Sequence, residues 1–311
     1  MSQTYTVYLA PRGREADLEK ELGHNVIERY DRLFMCNQPV HPVYFCQNIW
    51  YDARKIPVSS IKDTAKKLRA IQRNWAFYPH DLHRRATLVS ENLPHMSLKP
   101  LPYGTLPPDS PLGAWCLLDK DTLLAAPETA LPVANGLYDF EENKTTPPNR
   151  AYLKLWETFT RLKTFPKKGS KAVDLGASPG GWTWVLQDSG CDVLAVDKAP
   201  LDKKIARLPR VSFRQDSAFA LAPKDIGPVD WLCSDIICYP DRLYGLVQTW
   251  MESGLAENMI MTIKLQGETD FAAVQTFADI PNSRIMHLYN NKHELTWVWS
   301  KGGLEGASAD E

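Results

Sequence analysis

The chain of 311 residues has almost no net charge: 36 Lys and Arg against 37 Asp and Glu leave −1. A global basic field that would attract nucleic acid from any side is therefore excluded, and such a partner needs a local patch. Uninterrupted apolar runs near the ~18 residues of a membrane span are also missing. The first residues, MSQTYTVYLAPRGREADLEKE, meet charge early and carry no apolar run with a small-residue cleavage site, so no secretory leader is expected. None of the six cysteines stands in C-x-x-C spacing. A chain of this length does not need disulfides to fold, so a reducing, cytoplasmic setting is expected. His80 and His83 in YPHDLH lack the cysteines or carboxylates of a zinc site, so a surface pair is expected and no metal.

Residues 6–11 (TVYLAP) read as a strand, 14–30 as an amphipathic helix, and PVYFCQNIWY as strand-like, which suggests a small α+β domain. Residues 50–85 hold nine basic residues against three acidic ones, interleaved with Trp50, Tyr51, Trp75, Phe77 and Tyr78. Cations and rings together suit RNA, whereas Ile61, Ala65 and Leu68 also fit a solvated helix whose aromatics turn into the core. Proline-rich residues 92–113 and the polar FEENKTTPPN segment exclude regular structure, with a strand pair expected at 114–125 between them. The expected domains are 1–145 and 146–301, followed by a tail at 302–311. From residue 150 strands and helices alternate, as in a mostly parallel sheet covered on both faces whose ligands sit at the carboxyl ends of the strands.

Within that alternation, KAVDLGASPGGWTWVL places a glycine turn between a strand and a helix. The turn lacks the second glycine of G-x-G-x-x-G, so backbone cannot approach a pyrophosphate, and it lacks the Gly-Lys-Ser/Thr ending of a P-loop. Asp197 nevertheless closes the next strand, 23 positions after Asp174. A ligand with a ribose and no pyrophosphate satisfies both facts, and S-adenosylmethionine is such a ligand. Its ribose is expected at Asp197, its amino-acid end at Asp174, Gly176 and Ser178, with Pro179, Gly180 and Gly181 completing the turn, and its adenine beside Asp216.

After the fourth strand the chain reads SDIICYP, without the paired prolines of enzymes that methylate exocyclic amines and without the Pro-Cys nucleophile of carbon-5 enzymes. Cys233 and Cys238 are therefore expected to be buried small hydrophobes. Lys154 lies on a helix, while Asp235, Lys264 and Glu294 each stand at the edge of an apolar run, where a charge is costly unless paired or used. Two lysines and two carboxylates suit deprotonation of an alcohol, with one ammonium lowering the pKa of the other lysine.

On these segments (RAYLKLWE, AVDLGASPGGWTWVL, VLAVDKAPL, SDIICYP, TIKLQG and YNNKHELTWVWS) the chain resembles the FtsJ/RlmM class of RNA 2′-O-ribose methyltransferases, closest to the RlmM family. The resemblance implies a Rossmann-like α/β domain using S-adenosylmethionine, with a smaller N-terminal α+β domain of ferredoxin-like and THUMP-related type. It implies Lys264 as base, Lys154 and Asp235 as its partners, Glu294 holding the ribose and Trp182 lining the cofactor pocket. Asp235 also borders the cofactor. The implied substrate is a cytidine of 23S ribosomal RNA in the cytoplasm, with no membrane and no metal. Ser178 stands where the family has cysteine and Gln266 where it usually has proline, and the N-terminal match is confined to LAPRGREADLEKEL and RAIQRNWAFYP. A methyltransferase of transfer RNA and an idle RNA-binding or assembly protein are the rival readings.

Overall fold

The structure, a computed structural model, describes residues 3–96 and 99–304. The chain forms two compact units, residues 1–101 with 106–139, and residues 102–105 with 140–311.

The N-terminal unit runs β1 (Tyr5–Leu9), α1 (Glu15–Leu22), β2 (Val26–Tyr30), β3 (Leu33–Cys36), β4 (Asn48–Pro57), α2 (Ile61–Ile71), β5 (Trp75–Phe77), α3 (His83–Ser90), β6 (Gly113–Leu117), β7 (Thr122–Ala126) and β8 (Glu128–Thr129). Its sheet has the order β2-β3-β1-β4-β7-β6-β5, with β8 on β4 and only β5 and β6 parallel. The helix expected over residues 14–30 stops at Leu22. Gly23 takes φ 55° there, and Val26–Tyr30 pair with the next strand, β3, in an antiparallel hairpin that helical periodicity does not reveal. The strand expected in PVYFCQNIWY begins only at Asn48 and runs on to Pro57.

The segment rich in cations and rings does not offer its largest rings to solvent. Trp50, Trp75 and Tyr78 are buried, at 0%, 6% and 5% exposure. Ser60 caps α2 by accepting the Asp63 N–H, and Thr64, Ala65 and Leu68 turn into the core while Lys62, Lys66 and Arg69 stay exposed. His80 packs edge-on against Tyr30 with centroids 5.8 Å apart.

The C-terminal unit runs α4 (Tyr152–Leu162), β9 (Lys171–Leu175), α5 (Gly181–Asp188), β10 (Asp192–Asp197), α6 (Lys203–Ala206), β11 (Val211–Gln215), α7 (Pro223–Ile226), β12 (Val229–Ser234), α8 (Pro240–Ser253), β13 (Ala256–Lys264), α9 (Phe271–Ala278), β14 (Ser283–Met286) and β15 (Glu294–Ser300). The sheet order is β11-β10-β9-β12-β13-β15-β14. The first five of these strands are parallel, and β15 lies antiparallel between β13 and β14. This is a doubly wound Rossmann-like sheet whose order reverses beside β9, the place where such sheets bind ligands. Phe140 joins this unit by packing on Trp156 with centroids 5.6 Å apart, and Tyr103 from the proline-rich segment stacks on the same ring at 4.6 Å and 8°. The division accordingly falls at 139/140, ahead of FEENKTTPPN. Of the expected tail, 305–311 lie outside the described residues. Among the described residues no helix is long and apolar enough to cross a membrane.

Trp297 shows how the second sheet is held on its α9 side. It is fully buried, donates its indole N–H to the Phe277 carbonyl at 3.0 Å and meets the Phe277 ring edge-on. Trp297→Ala is expected to lower unfolding free energy by about 3–5 kcal/mol, read as a reduced urea midpoint with unchanged slope.

Candidate active site

Helix α4 has one apolar face held by an aromatic cluster. Trp156 lies within 4.6–5.7 Å of the rings of Tyr103, Tyr152, Phe140 and Trp184. Another face carries Lys154, Glu157 and Arg161, spaced at helical intervals of three and four residues. Anchoring the helix by its rings fixes the place where Lys154 reaches the sheet.

That place is the carboxyl edge. Lys154 Nζ donates to both oxygens of Asp235, at 2.7 and 2.6 Å, and to Glu294 Oε1 at 3.1 Å. Lys264 Nζ donates to Asp235 Oδ1 and Glu294 Oε2, both at 2.6 Å. The antiparallel register sets Lys264 directly opposite Glu294, and directly opposed side chains are near neighbours. Asp235 follows the last residue of β12, where Ser234 Oγ donates to the Leu175 carbonyl at 2.9 Å and ties that strand end to β9. The result is a closed ring of alternating charge, lysine to carboxylate to lysine to carboxylate, drawn from α4, β12, β13 and β15.

Charge alternation sets the protonation of the ring. Burial pushes the Asp235 carboxyl up, but the Lys154 and Lys264 ammonium groups outweigh it and hold Asp235 below its ordinary range. For Lys264, burial acts downward and is outweighed by Asp235 and Glu294, which hold the ammonium above its ordinary value. The expectation that one ammonium depresses the other lysine is therefore corrected for this state. A carboxylate stands between the two cations on either side, and attraction at 2.6 Å exceeds repulsion across the ring.

Beside the ring, the turn from Gly176 to Gly181 joins β9 to α5. Gly176 has φ 75°, and a Cβ there would come within 2.9 Å of the Ile236 Cβ, so the turn can lie against the loop after Asp235 only as glycine. A Cβ on Gly181 would meet Asn149 Oδ1 at 2.4 Å, ahead of α4. Asp197 accepts the Ser178 N–H on Oδ2 and the Ala199 N–H on Oδ1, both at 2.9 Å. A carboxylate has about four lone-pair sites, so capacity for ligand hydroxyls remains. The Ser178 hydroxyl donates to the Pro200 carbonyl, and Pro179 is exposed. Asp216, beyond β11, is bonded by Arg214 and by the Ser217 N–H, which lower its pKa, the backbone bond most.

Two expected ligand contacts face inward. Asp174 is 1% exposed and accepts the Thr183 hydroxyl at 2.6 Å. Burial pushes its carboxyl up to about 7, and the Thr183 bond offsets only part of that. Trp182 is 3% exposed and donates its indole N–H to the Ala151 carbonyl, with Lys154 Nζ 6.0 Å from its ring. Both side chains brace the turn and α4 from beneath. Cys233 and Cys238 are buried, and burial pushes both thiols up, which suits core residues. Among the described residues no group of three or more His, Cys, Asp or Glu could hold a metal ion.

Residues 147–279, which contain α4, the glycine turn, Asp235 and Lys264, match the family model of FtsJ-like methyltransferases. This segment is similar to FtsJ-like methyltransferases. The chain is 34% identical over 157 residues to the ribosomal RNA large subunit methyltransferase M of Halorhodospira halophila, covering 48% of this chain and 46% of that protein. With the protein of the same name from Xanthomonas oryzae pv. oryzae it shares 30% over 203 residues, 60% of this chain and 58% of the relative. The chain thus spans about half the length of the curated relatives it matches. Among solved structures, TrmN from Thermus thermophilus is similar over 96% of this chain and 99% of its own, at 12% identity and a TM-score of 0.40, too slight a likeness to carry inference.

The FtsJ-like segment also contains a residue that sequence reasoning missed. Glu157 is fully buried one turn from Lys154 and accepts the Tyr289 N–H on Oε2 at 2.9 Å. Arg161 reaches Glu157 Oε1 at 3.4 Å and donates to the His287 carbonyl at 2.9 Å. Together they clasp the loop that leads into Glu294. Its spacing, three residues after Lys154 and four before Arg161 on one face of the helix, was the available signal.

Burial pushes the Glu157 carboxyl up to about 7, and Arg161 and the Tyr289 N–H offset only part of it. The folded chain then binds protons more tightly than the unfolded one between pH 4.5 and about 7, so these buried carboxyls make stability fall as pH rises through that window. In Glu157→Gln the fall is expected to be shallower, measured as urea midpoints across the same window. An unchanged slope would remove Glu157 from the titration.

Proposed function

We propose that this protein transfers a methyl group from S-adenosylmethionine to a ribose 2′-hydroxyl of RNA, a cytidine of large-subunit ribosomal RNA. The observation that carries the reading is the closed Lys154–Asp235–Lys264–Glu294 ring beside the glycine turn. Buried ion pairs stabilise a fold weakly at best, because desolvation offsets their attraction. Four such charges gathered at the ligand-binding edge of a sheet are better explained by chemistry. The curated relatives' name supplies the choice of large-subunit ribosomal RNA.

The residues present fit the cofactor. The turn has no place for a pyrophosphate, Asp197 retains acceptor capacity for ribose hydroxyls, and Asp216 stands one strand further out for the base. When bound, S-adenosylmethionine supplies a methyl group activated on a sulfonium. The 2′-hydroxyl is a weak acid whose oxygen must lose its proton as it takes the methyl. Lys264 Nζ receives that proton as the neutral amine, while Lys154 and Asp235 orient it and the remaining ammonium charge favours the developing alkoxide. Because Asp235 and Glu294 hold Lys264 protonated at rest, the ammonium must first release its own proton to solvent. The reaction belongs in the cytoplasm, in keeping with six cysteines that form no disulfide among the described residues.

Methyl transfer is therefore expected to accelerate as pH rises, with the ascending limb moved to lower pH in Glu294→Gln, where one anion holding the Lys264 proton is lost. Single-turnover rates with ribosomal RNA from a deletion strain measure both; a limb left in place would contradict Lys264 as the base. Lys264→Ala should lose transfer and keep cofactor binding. Asp197→Ala should weaken that binding, read by calorimetry, and an unchanged affinity would remove the ribose contact.

A further inference from the structure

In the C-terminal unit the exposed large apolar side chains among the described residues are Ile237, Tyr239 and Tyr289, at 81%, 68% and 48% exposure. All three stand within five residues of the charged ring, Ile237 and Tyr239 after Asp235 and Tyr289 before Glu294. Elsewhere in this unit the large rings are packed, as in the cluster around Trp156. Neither the Tyr239 nor the Tyr289 side chain makes a hydrogen bond, ion pair or ring contact among the described residues, whereas their backbones are fixed. The Tyr239 carbonyl accepts the N–H groups of Arg242 and Leu243 at the start of α8, and the Tyr289 N–H is held by Glu157.

The topology puts the two loops that carry these tyrosines on either side of the strand that ends in the proposed base. Strands β12, β13 and β15 are adjacent, so the loop after Asp235 and the loop before Glu294 leave the same sheet edge two strand spacings apart, about 10 Å. Lys264 ends the strand between them. A ribose whose 2′-hydroxyl meets Lys264 carries its base on the neighbouring carbon, so that base must lie at this rim.

We infer that Tyr239 and Tyr289, with Ile237, form the seat for the nucleobase of the methyl-accepting nucleotide and stack on it and its neighbour. This rests on the reading of the protein as an RNA ribose methyltransferase. A protein partner fits the rim less well. Three side chains are far smaller than the roughly 800 Å² per side of a stable interface, and a protein docked there would close the entrance to Lys264. Stacking tolerates any base, so the seat supplies affinity and register, and the choice of target nucleotide is made by other contacts.

The test is steady-state methylation of unmodified ribosomal RNA by Tyr239→Ala, Tyr289→Ala and the corresponding Phe variants. Each alanine variant is expected to raise KM for RNA roughly 5- to 150-fold, the range for loss of one stacked base. The Phe variants, which keep the ring, should retain wild-type KM, and S-adenosylmethionine affinity by calorimetry should be unchanged throughout. Wild-type KM in both alanine variants would overturn the seat while leaving the activity standing. A loss of cofactor affinity or thermal stability matching the loss of activity would overturn it in favour of a structural role. No transfer by the wild-type protein would refute the activity itself, and the seat with it.

Discussion

Alternation of sign is the constraint on which the C-terminal unit's site depends. Lys154, Asp235, Lys264 and Glu294 are each largely removed from water, and none would be tolerable alone at that depth. Together they are neutral and every neighbour is of opposite sign. The ring can close because three of its members come from adjacent strand ends and the fourth from a helix laid against them. Much else in the unit keeps that helix and those ends in place. Trp156 and its surrounding rings fix α4, Ser234 ties β12 to β9, and Glu157 with Arg161 holds the loop before β15.

The same constraint explains why the resting ring differs from a ready base. Carboxylates that stabilise the buried Lys264 ammonium also hold its proton. An arrangement good at folding is then one that has to be relieved before Lys264 can accept a proton. Under the proposed reaction, entry of a ribose hydroxyl at the rim and loss of a proton to water belong to one event, and the exposed tyrosines lie where the incoming nucleotide would first be held.

The fold of the second unit was largely legible because alternating apolar strands and amphipathic helices need no distant partner to be recognised. Strands β9 to β13 and β15 fall where their apolar runs lie. The N-terminal unit was less legible. Residues 26–30 satisfy helical periodicity as well as strand pairing, and only β3 alongside them decides the matter. The same limit applied to Trp50, Trp75 and Tyr78, since a ring between lysines can stack on a base or turn into a core. Asp174 and Trp182 were legible as members of the glycine turn, whereas their inward orientation toward Thr183 and Ala151 depends on α5 and α4 packing together.

The sequence by itself determined the parallel α/β core, the glycine turn unsuited to pyrophosphate and the four candidate charges, three of them at the edges of apolar runs, because each is a local pattern of residue type and spacing. Tertiary structure alone decided that those charges close into one ring, that Lys264 is held protonated within it, and that Glu157 clasps the loop before Glu294. These are properties of distances between segments up to 140 residues apart in the chain, and separation in sequence carries no record of distance in space.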